Sequence, residues 1–227
     1  MATLPKTGAL IVPKAPNQPI APVDYSQQYQ DEYSNVLRLY FNEIDNFSSG
    51  IGGTNGGSYL KFPFIAAQDN SAQYATANNT ATIVKWSTLS NGAGFTLNAN
   101  STATASVSGI YKITYSLQFA NNDNAQLDAI VWLRANGSDV SSSTTIFTIP
   151  ARKSAGVPAY VCGYSEVVFP LNAGDNVGLW WGTEQAANAT TRVGTYIYYQ
   201  AAQTTPMAYP ATPSAIGSIT FVSALST

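Results

Sequence analysis

The sequence predicts an all-β fold, a sandwich or a barrel, which follows one helix and a proline-rich N-terminal arm. Segment 109–119 alternates its side chains with a period of two and is rich in β-branched and aromatic residues, which is typical of a long strand. Turn signals such as Asn91-Gly92 and Gly174-Asp175 recur between short apolar runs. Short strands at this spacing favour a sandwich or a barrel.

Residues 1–23 are predicted to form an extended arm. Five prolines lie in this segment, and proline at that density disfavours both helix and central strand. Small apolar residues between the prolines would serve an arm that lies along another subunit, whereas a disordered tail is the alternative. These anchoring candidates are Leu4, Leu10, Ile11, Val12 and Ile20.

Residues 24–47 carry a helical pattern. Apolar side chains recur there at spacings of three and four residues, which places them on one face of an α-helix, and Asp24 is the candidate N-cap. The stripe fits either a helix that packs on its own domain or a short bundle around an oligomer axis. Its candidate contact residues are Tyr33, Val36, Tyr40 and Ile44. The Gly-rich segment 48–58 is predicted to be a linker, because it lacks the Gly-Lys-Ser or Gly-Lys-Thr end of a phosphate loop.

The remaining residues, 59–227, are predicted to form the β-domain. Trp180 and Trp181 are adjacent on one candidate strand, so their side chains point to opposite faces of a sheet. Only one of them can reach the core, and the other needs a loop or a neighbouring subunit to cover it. Tyr111, Tyr115 and Phe221 are the other aromatic residues expected at packing or trimer contacts. The ten candidate strands are 59–66, 81–87, 94–97, 109–119, 127–135, 144–149, 159–170, 176–181, 195–199 and 217–224.

Composition argues against catalysis and nucleic-acid binding. The chain has no histidine, which excludes Ser-His-Asp and Cys-His arrangements and imidazole metal sites. Charged residues make up 10% of the chain and the net charge is −2, so binding of nucleic acid has little electrostatic basis. No stretch approaches the roughly 20 apolar residues that span a bilayer. We therefore expect no enzymatic activity, cofactor, metal, nucleic acid or membrane partner.

The type of polar residue in the chain indicates the location of the protein. Asn, Thr, Ser and Gln take the place of charged residues, and a neutral surface suits an extracellular or assembled particle because it packs without large charge desolvation. The N-terminus, however, has no apolar secretory segment. A virion protein would satisfy both observations, because it is made in the host cytoplasm and released by lysis. Cys162 is the only cysteine, so no disulfide can form within the chain.

Four motifs, in order along the chain, resemble a known family. Segment 108–117 resembles the signature strand in the globular head of the complement first component, which shares a ten-strand jelly roll with tumour necrosis factor. The resemblance covers residues 60–227 and implies a homotrimeric jelly-roll sandwich of about ten strands, with 217–221 as the closing strand at the trimer axis. The other matching segments are 94–97, 131–137 and 169–177.

The front of the chain resembles a second group of proteins. The arm and segment 37–42 are similar to the front end of structural proteins from tailed bacteriophages, particularly those of cyanobacteria and marine bacteria. The two resemblances imply a non-enzymatic homotrimer on a virion, as a head decoration, a cement protein or a fibre, with its arm fastened to capsid or tail proteins. A tail-fibre head that binds a host glycan is the alternative. A polysaccharide depolymerase, which would need paired carboxylates, is a minor one.

Overall fold

The computed structural model describes residues 13–20, 22–52 and 62–225. These residues belong to two compact units, Met1–Lys61 and Phe62–Thr227. The described part of the first unit contains one helix, and that of the second contains thirteen strands.

The helix of the first unit, α1, spans Gln27–Gly52, so it begins and ends later than the predicted segment 24–47. Its N-cap is Ser26 and not Asp24, because the Tyr29 amide donates a hydrogen bond to Ser26 Oγ at 3.3 Å. A serine hydroxyl in this position satisfies one of the free amides in the first helical turn. Ser26, two residues after the predicted cap, is therefore the residue that starts the helix.

The predicted arm and linker are described in part. Residues 13–20 form neither helix nor strand, and Ile20 is exposed. Residues 48–52, predicted as the start of the linker 48–58, instead continue the helix. The rest of that linker lies outside the described residues, as do the other anchoring candidates, Leu4, Leu10, Ile11 and Val12.

The strands of the second unit, numbered in chain order, form two antiparallel sheets. The first sheet consists of β1 (Phe64–Asp69), β3 (Thr88–Ala93), β6 (Gly109–Asn121), β10 (Ala159–Leu171), β12 (Thr195–Ile197) and β13 (Ala215–Ser223). Its strand order is β3-β1-β13-β6-β10, and β12 pairs with the end of β6. The two longest strands, β6 and β10, pair along their whole length.

The second sheet has β11 and β7 at its centre. It consists of β2 (Thr82–Ile83), β4 (Phe95–Leu97), β5 (Ala103–Ala105), β7 (Leu127–Ala135), β8 (Ser138–Asp139), β9 (Thr145–Ile149) and β11 (Asn176–Thr183). Its strand order is β4-β5-β11-β7-β8, with β2 paired to β11 and β9 paired to β7.

The connections between these strands make the sandwich a jelly roll. From β5 onward the chain crosses from one sheet to the other, so β5, β7, β9 and β11 lie in the second sheet and β6, β10 and β13 in the first. Two facing antiparallel sheets joined by such crossings are the jelly-roll arrangement. The predicted all-β jelly-roll fold is therefore confirmed.

Three strands of the sandwich were not predicted, namely β3, β5 and β8, which have two to six residues. Asn91-Gly92, predicted as a turn, lies inside β3, where Gly92 pairs with Ile65. In the turn between β7 and β8, Asn136 and Gly137 have φ values of 51° and 82°. Asn and Gly are the residues that tolerate this left-handed backbone.

Alternating side chains of β6 build the core between the two sheets. Tyr111, Leu117 and Phe119 are fully buried and Tyr115 is 2% exposed, which matches the period of two in the sequence. The Tyr111 ring makes edge contacts with its aromatic neighbours, and its hydroxyl donates a hydrogen bond to the Val107 carbonyl at 2.7 Å. The core face of β6 thus consists of alternate residues of the segment whose period of two predicted a strand.

Candidate functional site: an association face on the first sheet

The outer surface of the first sheet carries several large apolar side chains. We call these residues, on β10 and β13, the association face: Tyr160, Tyr164, Val168, Ile216 and Val222. Each of them is between 47% and 59% exposed. They face outward because their strands alternate, and the intervening residues fill the core.

The strand register brings these residues together. Tyr164 on β10 lies opposite Ser116 on β6, and Ser116 lies opposite Ile216 on β13. The two large side chains therefore flank one serine in a single cross-strand row. Strands in a sheet are about 4.8 Å apart, so Tyr164 and Ile216 lie on strands separated by about 10 Å. A knob from another protein surface could insert between them, above Ser116.

The polar side chains of this surface pair with one another. The hydroxyl oxygens of Thr114 and Ser218 are 2.7 Å apart, and the Ser116 hydroxyl oxygen is 3.2 Å from the Cys162 sulfur. Gln118 Nε2 also donates to Cys162 Sγ at 3.5 Å. Removing water from polar groups that already have hydrogen-bond partners costs less free energy than removing it from unpaired groups. This surface could therefore be covered without leaving these groups unsatisfied.

One ion pair lies on the same surface. Lys112 Nζ is 3.6 Å from Glu166 Oε2, and both side chains are about half exposed. The Tyr164 hydroxyl donates to the same carboxylate oxygen at 3.4 Å. An exposed pair of this kind contributes little to stability, but the two charges compensate each other, so the face carries no net charge from them.

Tyr160 of the association face belongs to a cluster of four tyrosines at the edge of that face. The ring centroids of Tyr160 and Tyr198 are 4.8 Å apart, those of Tyr196 and Tyr198 are 6.1 Å apart, and those of Tyr74 and Tyr196 are 5.5 Å apart. Burial raises the pKa of the Tyr198 phenol well above its usual range, and the neighbouring Tyr160 adds to the rise. The Tyr198 phenol therefore stays neutral to a higher pH than an exposed tyrosine does.

The two tryptophans lie on opposite sides of the second sheet. Trp181 is fully buried, and its ring centroid is 6.1 Å from that of Phe119. Trp180 lies on the outer side, with the Arg134 guanidinium 5.1 Å from its ring centroid. The structure therefore places Trp180 on the sheet that does not carry the association face.

The remaining predicted contact residues fall into two groups. Tyr111 and Tyr115 are buried inside the sandwich, and Phe221 packs edge-on against Tyr111 at 5.7 Å, so their packing is internal. The helix residues are half-buried on one side of α1, namely Tyr33, Val36, Tyr40 and Ile44. Neither group supplies a residue to the association face.

Tyr160, Tyr164 and Ile216 were not selected from the sequence, although a signal was present. Segment 159–170 has apolar or aromatic residues at both odd and even positions. A strand with one solvated face has polar residues at every second position, so large residues on both faces indicate a second buried surface.

Two carboxylates of the sandwich, those of Asp175 and Asp139, have structural partners. The Asn172 backbone amide and the Asn136 amide donate to Asp175 at 2.7 Å each and hold its pKa below the usual range. Arg134 and Trp132 donate hydrogen bonds to Asp139 and hold its pKa below the usual range. Glycoside hydrolysis needs a carboxyl group with a raised pKa as proton donor, and these two carboxyl groups have the opposite shift.

Within residues 13–20, 22–52 and 62–225, no three acidic, cysteine or histidine side chains come close enough to hold a metal ion. Over the same residues, no helix has the length and apolar character that crossing a membrane requires.

Comparison with known proteins gave structural neighbours only. No known sequence family matches this chain, and no curated protein sequence does. A crystal structure of murine APRIL at pH 5.0 has a TM-score of 0.44 and 15% identity, and the similarity covers 71% of this chain and 100% of that one. The structure of Eiger TNF from S. frugiperda has a TM-score of 0.46 and 11% identity, covering 74% of this chain and 97% of that one.

Proposed function

We propose that this chain is a non-enzymatic structural protein of a bacteriophage virion, in which three copies associate through the association face. The observation that carries the proposal is the aromatic and aliphatic surface around Tyr164 and Ile216, which is neutral and internally hydrogen bonded. Cores of protein interfaces are depleted of charged residues and enriched in tyrosine. The sandwich is then an assembly module displayed on a particle as a decoration, a cement protein or a fibre.

The size of this surface sets how much of a threefold interface it can supply. Strands β6 and β10 have 13 residues each, which corresponds to about 43 Å at roughly 3.3 Å per residue. Together with β13 they make a face about 14 Å wide and therefore roughly 600 Å² in area. In a threefold ring each copy divides this face between two neighbours, so the edges and loops around it supply the rest of the ~800 Å² that each partner buries in a standard interface.

The sequence supports the proposed virion location and the anchoring role of the arm. The low charge and the resemblance of the arm and segment 37–42 to phage structural proteins support a virion location. The arm, with its prolines and small apolar residues, would order on docking to a capsid or tail protein. Antibodies against the sandwich should label intact particles from lysates of the host culture, and particles that never carry the label would contradict this location.

The trimer has a direct test. Gel filtration with light scattering should give three times the 24.1 kDa mass of one chain. The expected elution is a single species at micromolar concentration, because burial of the association face removes several large apolar side chains from water. A clean monomer at that concentration would overturn the proposal.

A second candidate function is recognition of a host glycan. An open cleft of about 590 Å³ lies between residues 74–78 and 186–189, with Tyr74, Asn78 and Asn188 in its walls. An aromatic ring and neutral amides are the groups that pack on and hydrogen bond to a sugar ring. Adsorption of the isolated protein to host cells, lost in Tyr74→Ala, would favour this function. Stable attachment to capsids without adsorption would favour the structural role.

A further inference from the structure

We infer that helix α1 is a self-association segment, in which three copies pack in parallel along a seam that repeats every 11 residues. This inference rests on the proposed trimer and extends it to the first unit of the chain. It assigns to the helix a definite partner, a second and third copy of the same helix in register.

The seam is defined by the apolar side chains on one side of α1. They follow one another at intervals of four, three, four, four, three and four residues, and every one is half-buried. Residues 11 positions apart thus recur on the same line: Tyr29 with Tyr40 and Ile51, Tyr33 with Ile44, and Val36 with Phe47. The seam residues are Tyr29, Tyr33, Val36, Tyr40, Ile44, Phe47 and Ile51.

Leu37 lies beside the seam and is half-buried like its members. With 3.6 residues per turn, the seven seam side chains span about 80° of the helix circumference, and Leu37 extends the apolar stripe to about 100°. A stripe of this width is typical of a helix that packs on another surface. Leu39 and Phe41 lie farther from the seam and are 52% and 57% exposed. The partner is therefore identified from the repeat along the seam and not from its width.

The 11-residue repeat indicates that this partner is a copy of α1. Such a repeat corresponds to 3.67 residues per turn and gives a slight right-handed supercoil, in contrast to the left-handed supercoil of heptads. A partner helix must follow the same period to stay in contact over the 26 residues of α1, about 39 Å at 1.5 Å per residue. A copy of α1 follows the same period because it has the same sequence.

Charges beside the seam favour a parallel arrangement. Glu32 and Glu43, also 11 residues apart, lie along one flank of the seam, and the other flank carries the neutral residues Gln30, Leu37 and Ser48. In a parallel bundle opposite flanks of neighbouring helices meet, so glutamates face neutral residues. In an antiparallel pair like flanks meet, and the glutamates of two chains would repel each other. A threefold axis also requires parallel helices.

Disulfide trapping in the full-length protein tests the inference. In a Cys162→Ser background, Val36→Cys places a thiol on the seam, and Asn42→Cys places one on the opposite, exposed side as the matched control. Mild oxidation should link up to about two thirds of the Val36→Cys chains into covalent dimers, because the third chain of each trimer has no partner. The Asn42→Cys variant should give less than about a tenth of that yield, because its thiols point away from the threefold axis.

The possible outcomes separate the inference from the proposed function. A trimer by light scattering in which Val36→Cys links no better than Asn42→Cys would overturn the helical seam and leave the sandwich trimer intact. In a mixture of the Val36→Cys and Ile44→Cys proteins, a disulfide between position 36 of one chain and position 44 of another would indicate antiparallel helices. If that disulfide formed in preference to the one between two Val36→Cys chains, the parallel orientation would be overturned. If Val36→Cys does not assemble, Ile44→Cys provides a second seam position for the same comparison. A monomeric unmodified protein would overturn the proposed function itself.

Discussion

Trp180 and Trp181 are consecutive in β11, yet the first lies on the outside of the sandwich and the second at its centre. The indole of Trp181 is fully buried between the sheets against Phe119, and that of Trp180 lies beneath the Arg134 guanidinium, 5.1 Å from the ring centroid. This separation follows from the alternation of side chains along a strand. Two residues of the same type thus have different structural roles.

Replacement of each tryptophan by alanine should distinguish those roles. We expect Trp181→Ala to lower the free energy of unfolding by about 3–5 kcal/mol, because it leaves a large cavity in the core. Trp180→Ala should cost about 1 kcal/mol, chiefly the cation–π contact with Arg134. Urea denaturation followed by circular dichroism measures both values. Equal losses in the two variants would contradict the assignment of inner and outer faces.

Gly109, at the start of β6, should not tolerate a side chain. A Cβ atom at this position would lie 2.5 Å from Phe221 Cε2 and 3.1 Å from the Ser223 carbonyl oxygen. We expect Gly109→Ala to lower the free energy of unfolding by about 1–3 kcal/mol through overpacking. Gly182→Ala is the control, because the nearest atom to its Cβ is Thr80 O at 3.4 Å. A control that destabilises as much as Gly109→Ala would contradict this explanation.

The parts of the fold that the sequence predicts are those with many residues in one pattern. Strand β7 spans Leu127–Ala135, as expected, and β6 extends two residues beyond the predicted segment 109–119. The missed strands β5 and β8 have three and two residues. Such short pairings have no periodic pattern of their own and form because the neighbouring strands position them.

The candidate site was harder to predict than the fold. The period of two shows that Tyr164 and Ile216 are outward-facing in their strands, but it does not show that they lie in one row across β6. That relationship depends on the pairing of residues 48 and 100 positions away from Ser116. Register between distant strands is set by the whole sandwich, so single-segment patterns do not contain it.

Alkaline pH should destabilise the sandwich through its buried tyrosines. Burial raises the pKa of Tyr111, Tyr115, Tyr196 and Tyr198. A phenol whose pKa is higher in the folded than in the unfolded state stabilises the fold at pH values below its unfolded pKa of about 10. That contribution is lost as the pH rises through the folded pKa.

The free energy of unfolding should therefore fall above pH 10, by at most about 1.4 kcal/mol per pH unit for each of these tyrosines. Urea denaturation between pH 8 and pH 12 measures the slope, and absorbance at 295 nm reports phenol ionisation. Tyr198→Phe should reduce the slope by the share of one tyrosine, and Tyr111→Phe should do the same. Slopes identical to that of the unmodified protein in both variants would contradict the role of these phenols.

Deletion of residues 1–23 should separate folding from attachment. The sandwich begins at Phe62 in the second compact unit, so we expect the truncated protein to retain its circular dichroism spectrum and its mass in light scattering. Attachment to the particle should be lost, because the arm would supply the contacts to capsid or tail proteins. Sedimentation of truncated and full-length protein with particles measures attachment. Normal decoration by the truncated protein would show that the arm is not the anchor.

The association face can be tested with two isoleucines in matched positions. Ile216 lies on the face and is 48% exposed, and Ile146 lies on β9 of the other sheet and is 60% exposed. A buried, unpaired lysine at an interface costs several kcal/mol, so Ile216→Lys should shift the trimer towards monomer at micromolar concentration. Ile146→Lys should leave the mass unchanged, because that sheet stays in contact with water. If only Ile146→Lys dissociated the protein, the interface would lie on the second sheet, and the outward row of Tyr164 and Ile216 would need a different partner.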